Sequence, residues 1–540
     1  MISLSPADVG EGGGTSLPPV IIPAFMTGFA SLLGVLLIAV LLAAVARRVG
    51  APYPAFLALG GAVLAFVPGA PRFSIDPEVA LALFVAPVLL DAAYDASPRD
   101  LKDNWVAVGS LAVGSVLATT AAVAIIARAL VPAMPWAAAV ALGAIVAPPD
   151  AAAATAVLRQ LRPPHRILKI LEGESLLNDA SALLIYRIAV GAVAVNAFSV
   201  GTLAPALLLV IAGSVVAGPI LAWVVLWVTK NVCDVPTAII LQFIGTFGVW
   251  ILADRLGLSA VLTTVIFAIS VARKAPERTP ARVRIPSYAV WESAVFVLNV
   301  LAFVFIGLQI RPILKNLATG VRIRYLLVAG AVVATVIVVR IAWVMAHNAV
   351  ARWRIRRFGF HPPRPMSPPT VASGLIISWS GMRGIVSLAA ALALPAGGAE
   401  GAFPYRDLIV LTASAVVLGT LVVQGLTLRP LIRALDLQED DPVSREVEAA
   451  RGRALEAALS TFADDRSPGA EIVRQEITAH RSRPSPSAPP GDSAPSHEEI
   501  HRRAIAAARR VLLDMRATDE IGDDAFHRLE EELDWIEMGI

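Results

Sequence analysis

Apolar residues gather in long runs along this chain. Windows of about 19 residues identify runs that are long enough to cross a lipid bilayer as helices. These 13 runs predict an all-α polytopic membrane protein with 13 transmembrane helices. They lie near residues 24–46, 53–69, 78–95, 105–131, 135–158, 168–193, 201–228, 236–253, 257–272, 288–310, 324–350, 370–395 and 407–432.

Composition and charge agree with that class and add an orientation. With 540 residues, of which 56% are hydrophobic and 16% charged, the chain has too little polar surface to enclose a soluble core of this size. The first twenty residues contain no Lys or Arg, so they lack the charged start of a cleaved signal peptide. One set of short loops has 19 Lys and Arg residues and the other has eight, which predicts an N-terminus outside and a C-terminus in the cytoplasm.

One apolar run is interrupted at its centre by two prolines. Pro148 and Pro149 remove two backbone donors and clash with the preceding turn, so the helix must break immediately before Asp150. A break at membrane depth leaves carbonyl groups and helix ends unpaired, which is tolerated only where protein or a water-filled cavity receives them. Such a break is a common way to build an ion site.

A second interrupted run lies late in the chain, at Ser378–Ser387, where two glycines flank Arg383. Each interrupted run has one long uninterrupted run before it and another after it. This order predicts two inverted repeats, at about 105–193 and 324–432, whose broken helices cross near the middle of the membrane. The opposed helix dipoles at the crossing need compensating charge, which Asp150 and Arg383 supply.

Two carboxylates, Asp150 and Asp179, lie in the middle of apolar runs. An ionised side chain costs roughly 2.5 to 3.5 kcal/mol at the centre of a membrane helix, so it tends to persist only where it is paired or functional. Ser175 is four residues before Asp179 and therefore on the same helix face. These oxygens, with carbonyls freed by the break, suit a small hard cation such as Na+. Burial and an acidic neighbour also favour the protonated carboxyl, so a proton and a cation compete for one site.

Two further ionised residues need partners within the membrane. Arg383 cannot lose its proton and is expected to pair with a carboxylate. Glu174 is adjacent in sequence to Ser175 and should point away from the cation, so it is the predicted partner of Arg383. Asp91 and Glu292 are the alternative partners.

The end of the chain has the opposite charge from the membrane part. From Asp436 onwards 24 acidic residues outnumber 13 basic ones, a net charge of −11 in a protein whose total is +3. A Pro/Ser-rich stretch at 481–496 predicts a flexible linker, and helical patterns follow it. The interpretation is a membrane domain at 1–435 and an acidic cytoplasmic tail with a small helical part at 436–540.

Four segments in this order carry a resemblance to a known family: GAIVAPPDAAAATAV, LEGESLLNDASALLIYR, SWSGMRGIVSLAAAL and VVQGLTLRPLI. Together they are similar to bacterial Na+/H+ antiporters of the first cation/proton antiporter family, the NhaP and NHE relatives, over most of residues 27–437. The resemblance implies 13 helices, a dimerisation part, a six-helix core, a homodimer, and elevator-like alternating access across the inner membrane.

The resemblance also implies roles by position. Asp179 would be the carboxylate that binds the ion and the proton, with Asp150 beside it and Ser175 contributing its hydroxyl. Asn178 stands where electrogenic relatives have Asp, which implies an electroneutral one-for-one exchange. Many members have Thr-Asp-Pro at the break, whereas this chain has Pro-Asp-Ala, so only the Pro149 carbonyl remains there as a ligand.

The sequence therefore predicts a transporter, not an enzyme, that exchanges Na+, and Li+ as well, for H+ without a cofactor and without nucleic acid. K+/H+ exchange on the same scaffold is the close alternative, because the threonine hydroxyl is missing. An intramembrane aspartyl protease would use two membrane Asp residues to activate a water, but the Gly-x-Gly-Asp sequence of that class does not occur. A membrane sensor that signals through the acidic tail is a third class.

Overall fold

The computed structural model describes residues 24–437, apart from 50, 69–75, 95, 162, 196–199, 233, 279–280, 317–318, 361–366 and 396–402. They belong to one unit of the chain, Met1–Pro442. The second unit, Val443–Ile540, lies outside the described residues, and so do the predicted linker and tail helices.

Every regular element in the described part is helical. A π-helical turn, Ser110–Ser115, joins the fifth and sixth helices. The helices are α1 (Ala24–Val49), α2 (Tyr53–Phe66), α3 (Pro77–Tyr94), α4 (Pro98–Asp103), α5 (Trp105–Gly109), α6 (Val116–Leu130), α7 (Trp136–Val146), α8 (Ala151–Leu161), α9 (His165–Val195), α10 (Val200–Thr229), α11 (Val235–Arg255), α12 (Ala260–Arg278), α13 (Ala281–Leu308), α14 (Ile310–Asn316), α15 (Thr319–Phe358), α16 (Val371–Trp379), α17 (Ile385–Leu392) and α18 (Arg406–Leu435).

Each of the 13 predicted apolar runs coincides with one of these helices or with consecutive ones. Within the described residues, nine helical stretches are long and apolar enough to cross a membrane, and α2 and α7 are apolar but shorter. The multi-pass, all-helical class predicted from the sequence is therefore confirmed. The short helices α4 and α14 were not predicted.

The first break lies where the two prolines predict it. α7 ends at Val146, residues 148–150 are not helical, and α8 begins at Ala151. Neither Pro148 nor Pro149 can donate a backbone hydrogen bond, so the helical ladder cannot continue through them. The result is two half-helices, each of which has an end whose backbone groups lack partners within the helix.

The second break separates α16, which ends at Trp379, from α17, which begins at Ile385. α16 starts at a capping box, in which Thr370 and Ser373 exchange side-chain to backbone hydrogen bonds. α15 precedes this broken pair and α18 follows it. The chain order of long helix, broken pair and long helix therefore occurs twice, first from α5 to α9 and again from α15 to α18.

α18 lies between the two broken pairs. It contacts α7 and α8 of the first pair, α16 and α17 of the second, and also α2 and α15. In its apolar stretch 72% of the residues are buried, whereas only 17% of those in α10 are. α18 is therefore the central helix around which both breaks are arranged, and α10 presents most of its surface outwards.

Candidate ion-binding site

A cavity of about 300 Å³ reaches both breaks. Its wall is formed by α2, α3, α8, α9, α13 and α17, together with the non-helical residues of the first break. Carboxylates, hydroxyls and an amide interrupt an otherwise apolar lining. The polar residues in the wall are Tyr53, Asp91, Asp150, Thr155, Glu172, Ser175, Asp179, Asn299 and Ser387.

Asp150 joins the two breaks. Its backbone N–H donates a hydrogen bond to the carbonyl of Met382 at 2.6 Å. Gly384 lies so close to the Asp150 carboxylate that a Cβ at that position would overlap it. Glycine is therefore required at 384 by the close approach of a side chain. These two contacts place the first break directly against the second.

α9 carries the second carboxylate. Ser175 and Asp179 are one helical turn apart, and both line the cavity. Asp179 is only 8% exposed, so its charged form is almost completely removed from water. The structure thus brings Asp150, Ser175 and Asp179 to one cavity.

Asn178 is fully buried and ties α9 to the first break. Its side-chain Nδ2 donates a hydrogen bond to the carbonyl of Pro149 at 2.8 Å. The sequence-based expectation gives that carbonyl to a cation. In the structure it accepts an amide N–H, because a carbonyl freed by a helix break needs a partner whether or not an ion is bound.

Arg383 occupies the C-terminal end of α7. Its Nε donates to the carbonyl of Val146 at 3.1 Å, and Nη2 donates to that of Ala147 at 3.3 Å. Its Nη1 donates to the carbonyl of Gly381, and its backbone N–H donates to Thr420 Oγ1 at 3.0 Å. A positive charge at this position complements the helix dipole and pairs carbonyls that the break leaves free.

The predicted ion pair between Glu174 and Arg383 is wrong. Glu174 pairs instead with Arg340 of α15, through Nη1 to Oε1 at 2.6 Å and Nη2 to Oε2 at 2.9 Å. Arg340 Nη2 also donates to the carbonyl of Ile377, near the end of α16, at 3.1 Å. The two side chains are 1% and 2% exposed, and this bidentate geometry is the strongest form of such a pair. Arg383 needs no carboxylate, because carbonyl groups accept from its guanidinium.

Arg340 is absent from the sequence-based predictions. It lies in the middle of the run at 324–350, so the argument that singled out Asp150 also applies to it. Each broken pair therefore has an arginine at the end of its first half, Arg383 at α7 and Arg340 at α16. Of the alternative partners proposed for Arg383, Glu292 is exposed and Asp91 lines the cavity.

A second cavity, of about 740 Å³, is lined by α9 residues that follow Asp179 in the sequence, from Leu183 to Arg187. Its wall includes Arg187 of α9 and Asp254 of α11, which form an ion pair at 2.6 Å. Both side chains are about half exposed. The helix that carries Asp179 is thus connected to α11 through this pair.

Several known proteins are similar to this chain. Residues 35–434 match the family described as sodium/hydrogen exchanger, transmembrane. A protein of Mycobacterium bovis named as an uncharacterised Na+/H+ exchanger is 34% identical over 440 residues, which is 79% of this chain and 78% of the relative. A sodium, potassium, lithium and rubidium/H+ antiporter of Bacillus subtilis is 26% identical over 504 residues, with 90% of this chain and 74% of the relative covered.

Among solved structures, the sodium proton antiporter MjNhaP1 from Methanocaldococcus jannaschii has a similar fold. The TM-score is 0.56 at 18% identity, over 76% of this chain and 99% of that one. Two broken helices that meet inside a helical membrane fold, with carboxylates buried beside them, are typical of secondary transporters. This chain belongs to the sodium/hydrogen exchanger family, and the resemblance to NhaP-like antiporters is confirmed.

Replacing Arg340 with Met should lower the free energy of unfolding by about 3–5 kcal/mol, because Glu174 would remain buried without its partner. Adding Glu174→Leu should recover part of that loss. The measurement is a double-mutant cycle on the unfolding of the detergent-solubilised protein. Arg187→Met breaks a half-exposed pair and is the control, with an expected cost below about 1 kcal/mol. Stronger coupling of Glu174 to Arg383 than to Arg340 would contradict the assignment.

Proposed function

We propose that this protein exchanges Na+ for H+, and also accepts Li+, at the cavity that contains Asp150 and Asp179. The observation that carries the proposal is that these two carboxylates and the hydroxyl of Ser175 line one cavity, at the crossing of two broken helices. Hard cations prefer oxygen ligands of this kind. Membership of the sodium/hydrogen exchanger family supports the same two substrates.

Competition between the two substrates follows from the burial of the site. The bare carboxylate of Asp179 is unfavourable in a poorly solvated cavity, and either a proton or a cation removes its charge. A site neutralised by either ligand can pass between the two sides of the membrane, whereas the bare charged site is held back. The protein then carries H+ in one direction and the cation in the other.

The charges buried around the cavity support a one-for-one exchange. Arg340 and Arg383 contribute two permanent positive charges. Glu174 pairs with Arg340, and backbone carbonyls accept from Arg383. Asp179 is then the one buried carboxylate in the described part of the chain without an ion pair, and a single Na+ or a single H+ neutralises it. Asn178, which precedes Asp179 on α9, adds no charge.

We place this domain in the inner membrane with 13 crossings, the N-terminus outside and the C-terminus in the cytoplasm. Each broken pair then counts as one crossing, and the loop bias of Lys and Arg supports the orientation. Tyr53, Asp91 and Glu172 lie towards helix ends that this orientation assigns to the cytoplasmic side. In this orientation the cavity opens to the cytoplasm.

We further propose that the protein is a homodimer, with a six-helix core at about 105–193 and 324–432. The low burial of α10 and α11, at 17% and 22% of the residues in their apolar stretches, supports contact with lipid or with a second copy. Light scattering on the detergent-solubilised protein tests the dimer, and the mass of a single chain would contradict it.

Asp179→Asn should reduce Na+-dependent proton movement to the background of empty liposomes, because the amide can neither bind a proton nor supply a charge to the cation. The measurement is the recovery of a pH-sensitive dye in proteoliposomes with an imposed pH gradient. The control is Asp407→Asn, which changes an exposed carboxylate in the first turn of α18. Exchange by Asp179→Asn at the rate of the unaltered protein would refute the assigned site.

K+/H+ exchange is the less favoured alternative, and two observations make it worth testing. The break offers no threonine hydroxyl, and the related antiporter of Bacillus subtilis is named for potassium as well as sodium. The proposal predicts that Na+ and Li+ reach half-maximal effect at concentrations at least about tenfold below K+, a difference of about 1.4 kcal/mol in binding. Chloride salts of the three cations, compared on one preparation, measure this. Equal or better response to K+ would support the alternative.

Exchange should also be insensitive to membrane potential. A cycle that moves one net charge gains or loses about 2.3 kcal/mol per 100 mV, whereas an electroneutral cycle does not. A thiocyanate gradient sets the potential of the proteoliposomes without adding a transported cation. An initial rate of proton movement that follows the potential would argue against the one-for-one stoichiometry.

A further inference from the structure

In this cavity the first repeat offers a cation fewer free oxygens than expected, because a carbonyl freed by the broken helix already accepts a hydrogen bond. This inference rests on the proposed function and concerns the ligands of the same site. Asp150, Ser175 and Asp179 supply two carboxylates and one hydroxyl. The Pro149 carbonyl, exposed by the break, already accepts a hydrogen bond from Asn178. Thr155 and Glu172 of the first repeat also line the cavity. A hard cation binds six or more oxygens when it can, so an oxygen from the second repeat would add to this set.

The opposite wall contains a hydroxyl with no partner. Ser387 of α17 lines the cavity and is only 1% exposed. Its Oγ has no hydrogen-bond partner among the described residues. Other described residues also have a buried polar atom without a partner, but Ser387 is the one of them that lines this cavity. A buried hydroxyl without a partner is unfavourable, and a ligand beside it would offset that cost.

The position of Ser387 relative to the carboxylates suits that role. It is three residues after Gly384, whose missing side chain makes room for the Asp150 carboxylate. Gly384 is the N-cap of α17 and Ser387 lies in its first turn, so the hydroxyl is at the end of α17 that approaches Asp150. Val386 and Leu388, on either side in the sequence, are apolar and offer no oxygen from their side chains.

We propose that Ser387 Oγ is a ligand of the transported cation, contributed by the second repeat and facing the ligands of the first. The cation then connects α17 to the first break and to α9 whenever it is bound. The attraction between an ion and a hydroxyl dipole weakens as the ion becomes larger, because the charge lies farther from the oxygen. Ser387 therefore favours Li+ and Na+ over K+.

The first experiment measures cation binding without transport. Purified full-length protein in detergent is unfolded thermally over a series of LiCl, NaCl and KCl concentrations, with choline chloride as the reference, because a bound cation stabilises the folded state. Ser387→Ala should raise the half-saturating concentration of Li+ and Na+ about tenfold, and that of K+ less. Ser387→Thr keeps the oxygen and should stay within about threefold of the unaltered protein.

Matched variants separate a ligand from a structural hydroxyl. Ser380 lies in the second break, is also 1% exposed and also has an unpartnered Oγ, but it does not line the cavity. Ser380→Ala should leave the cation series unchanged. Ser387→Cys nearly preserves the volume and replaces a hard oxygen with a soft sulfur, so it should behave like Ser387→Ala. If the alanine variant does not fold, the cation series of Ser387→Cys tests whether the Ser387 hydroxyl is a ligand.

The second experiment measures exchange in proteoliposomes. Ser387→Ala should raise the half-saturating Na+ concentration by a similar factor, with the maximal rate at saturating Na+ unchanged. If the unaltered protein binds cations but moves no protons, the proposed function fails, whereas the role of Ser387 is still decided by the binding series. Three results would overturn the inference. The half-saturating concentrations could stay within about twofold in Ser387→Ala, or Ser380→Ala could weaken cation binding equally. The third result is that none of the three cations stabilises the unaltered protein.

Discussion

Two helices are interrupted inside an apolar layer, and each backbone group exposed by the interruptions needs a partner within the protein. Side chains provide much of that pairing. Arg383 donates hydrogen bonds to the carbonyls at the end of α7, and Arg340 donates one to a carbonyl near the end of α16. Asn178 donates to the carbonyl of Pro149. The carboxylate of Asp150 is positioned by the same arrangement, because its own backbone N–H pairs with the other break.

The residues that pair the broken backbone therefore also set the charge around the proposed ion site. Asn178 secures the first break and at the same time keeps a further negative charge out of the core. Arg340 satisfies a carbonyl near the end of α16 and balances Glu174 with the same guanidinium. A substitution at one of these positions changes both the backbone pairing around the breaks and the net charge beside Asp179.

The parts of this structure that could be predicted from sequence are those that depend on local properties. Transfer of about 20 apolar residues into lipid outweighs any single interaction, so the positions of the membrane helices follow from the local hydrophobicity of each segment. Pro148 and Pro149 act on their own turn, and the first break lies where they are. The partner of Glu174 depends on how α9 and α15 are rotated about their axes, which no short segment of sequence specifies. The partner of Arg383 was missed because carbonyl groups at a helix end can replace a carboxylate.

The ion pair between Arg187 and Asp254 has a consequence for the balance between the two orientations of the carrier. In the elevator-like cycle that the family resemblance implies, α9 would carry Arg187 together with Asp179, while Asp254 belongs to a helix outside the proposed core. Half-exposed pairs of this kind contribute about 0–1 kcal/mol and are weakened by dissolved salt. Ionic strength on that side of the membrane would then shift the resting population of the carrier, independently of which salt is transported.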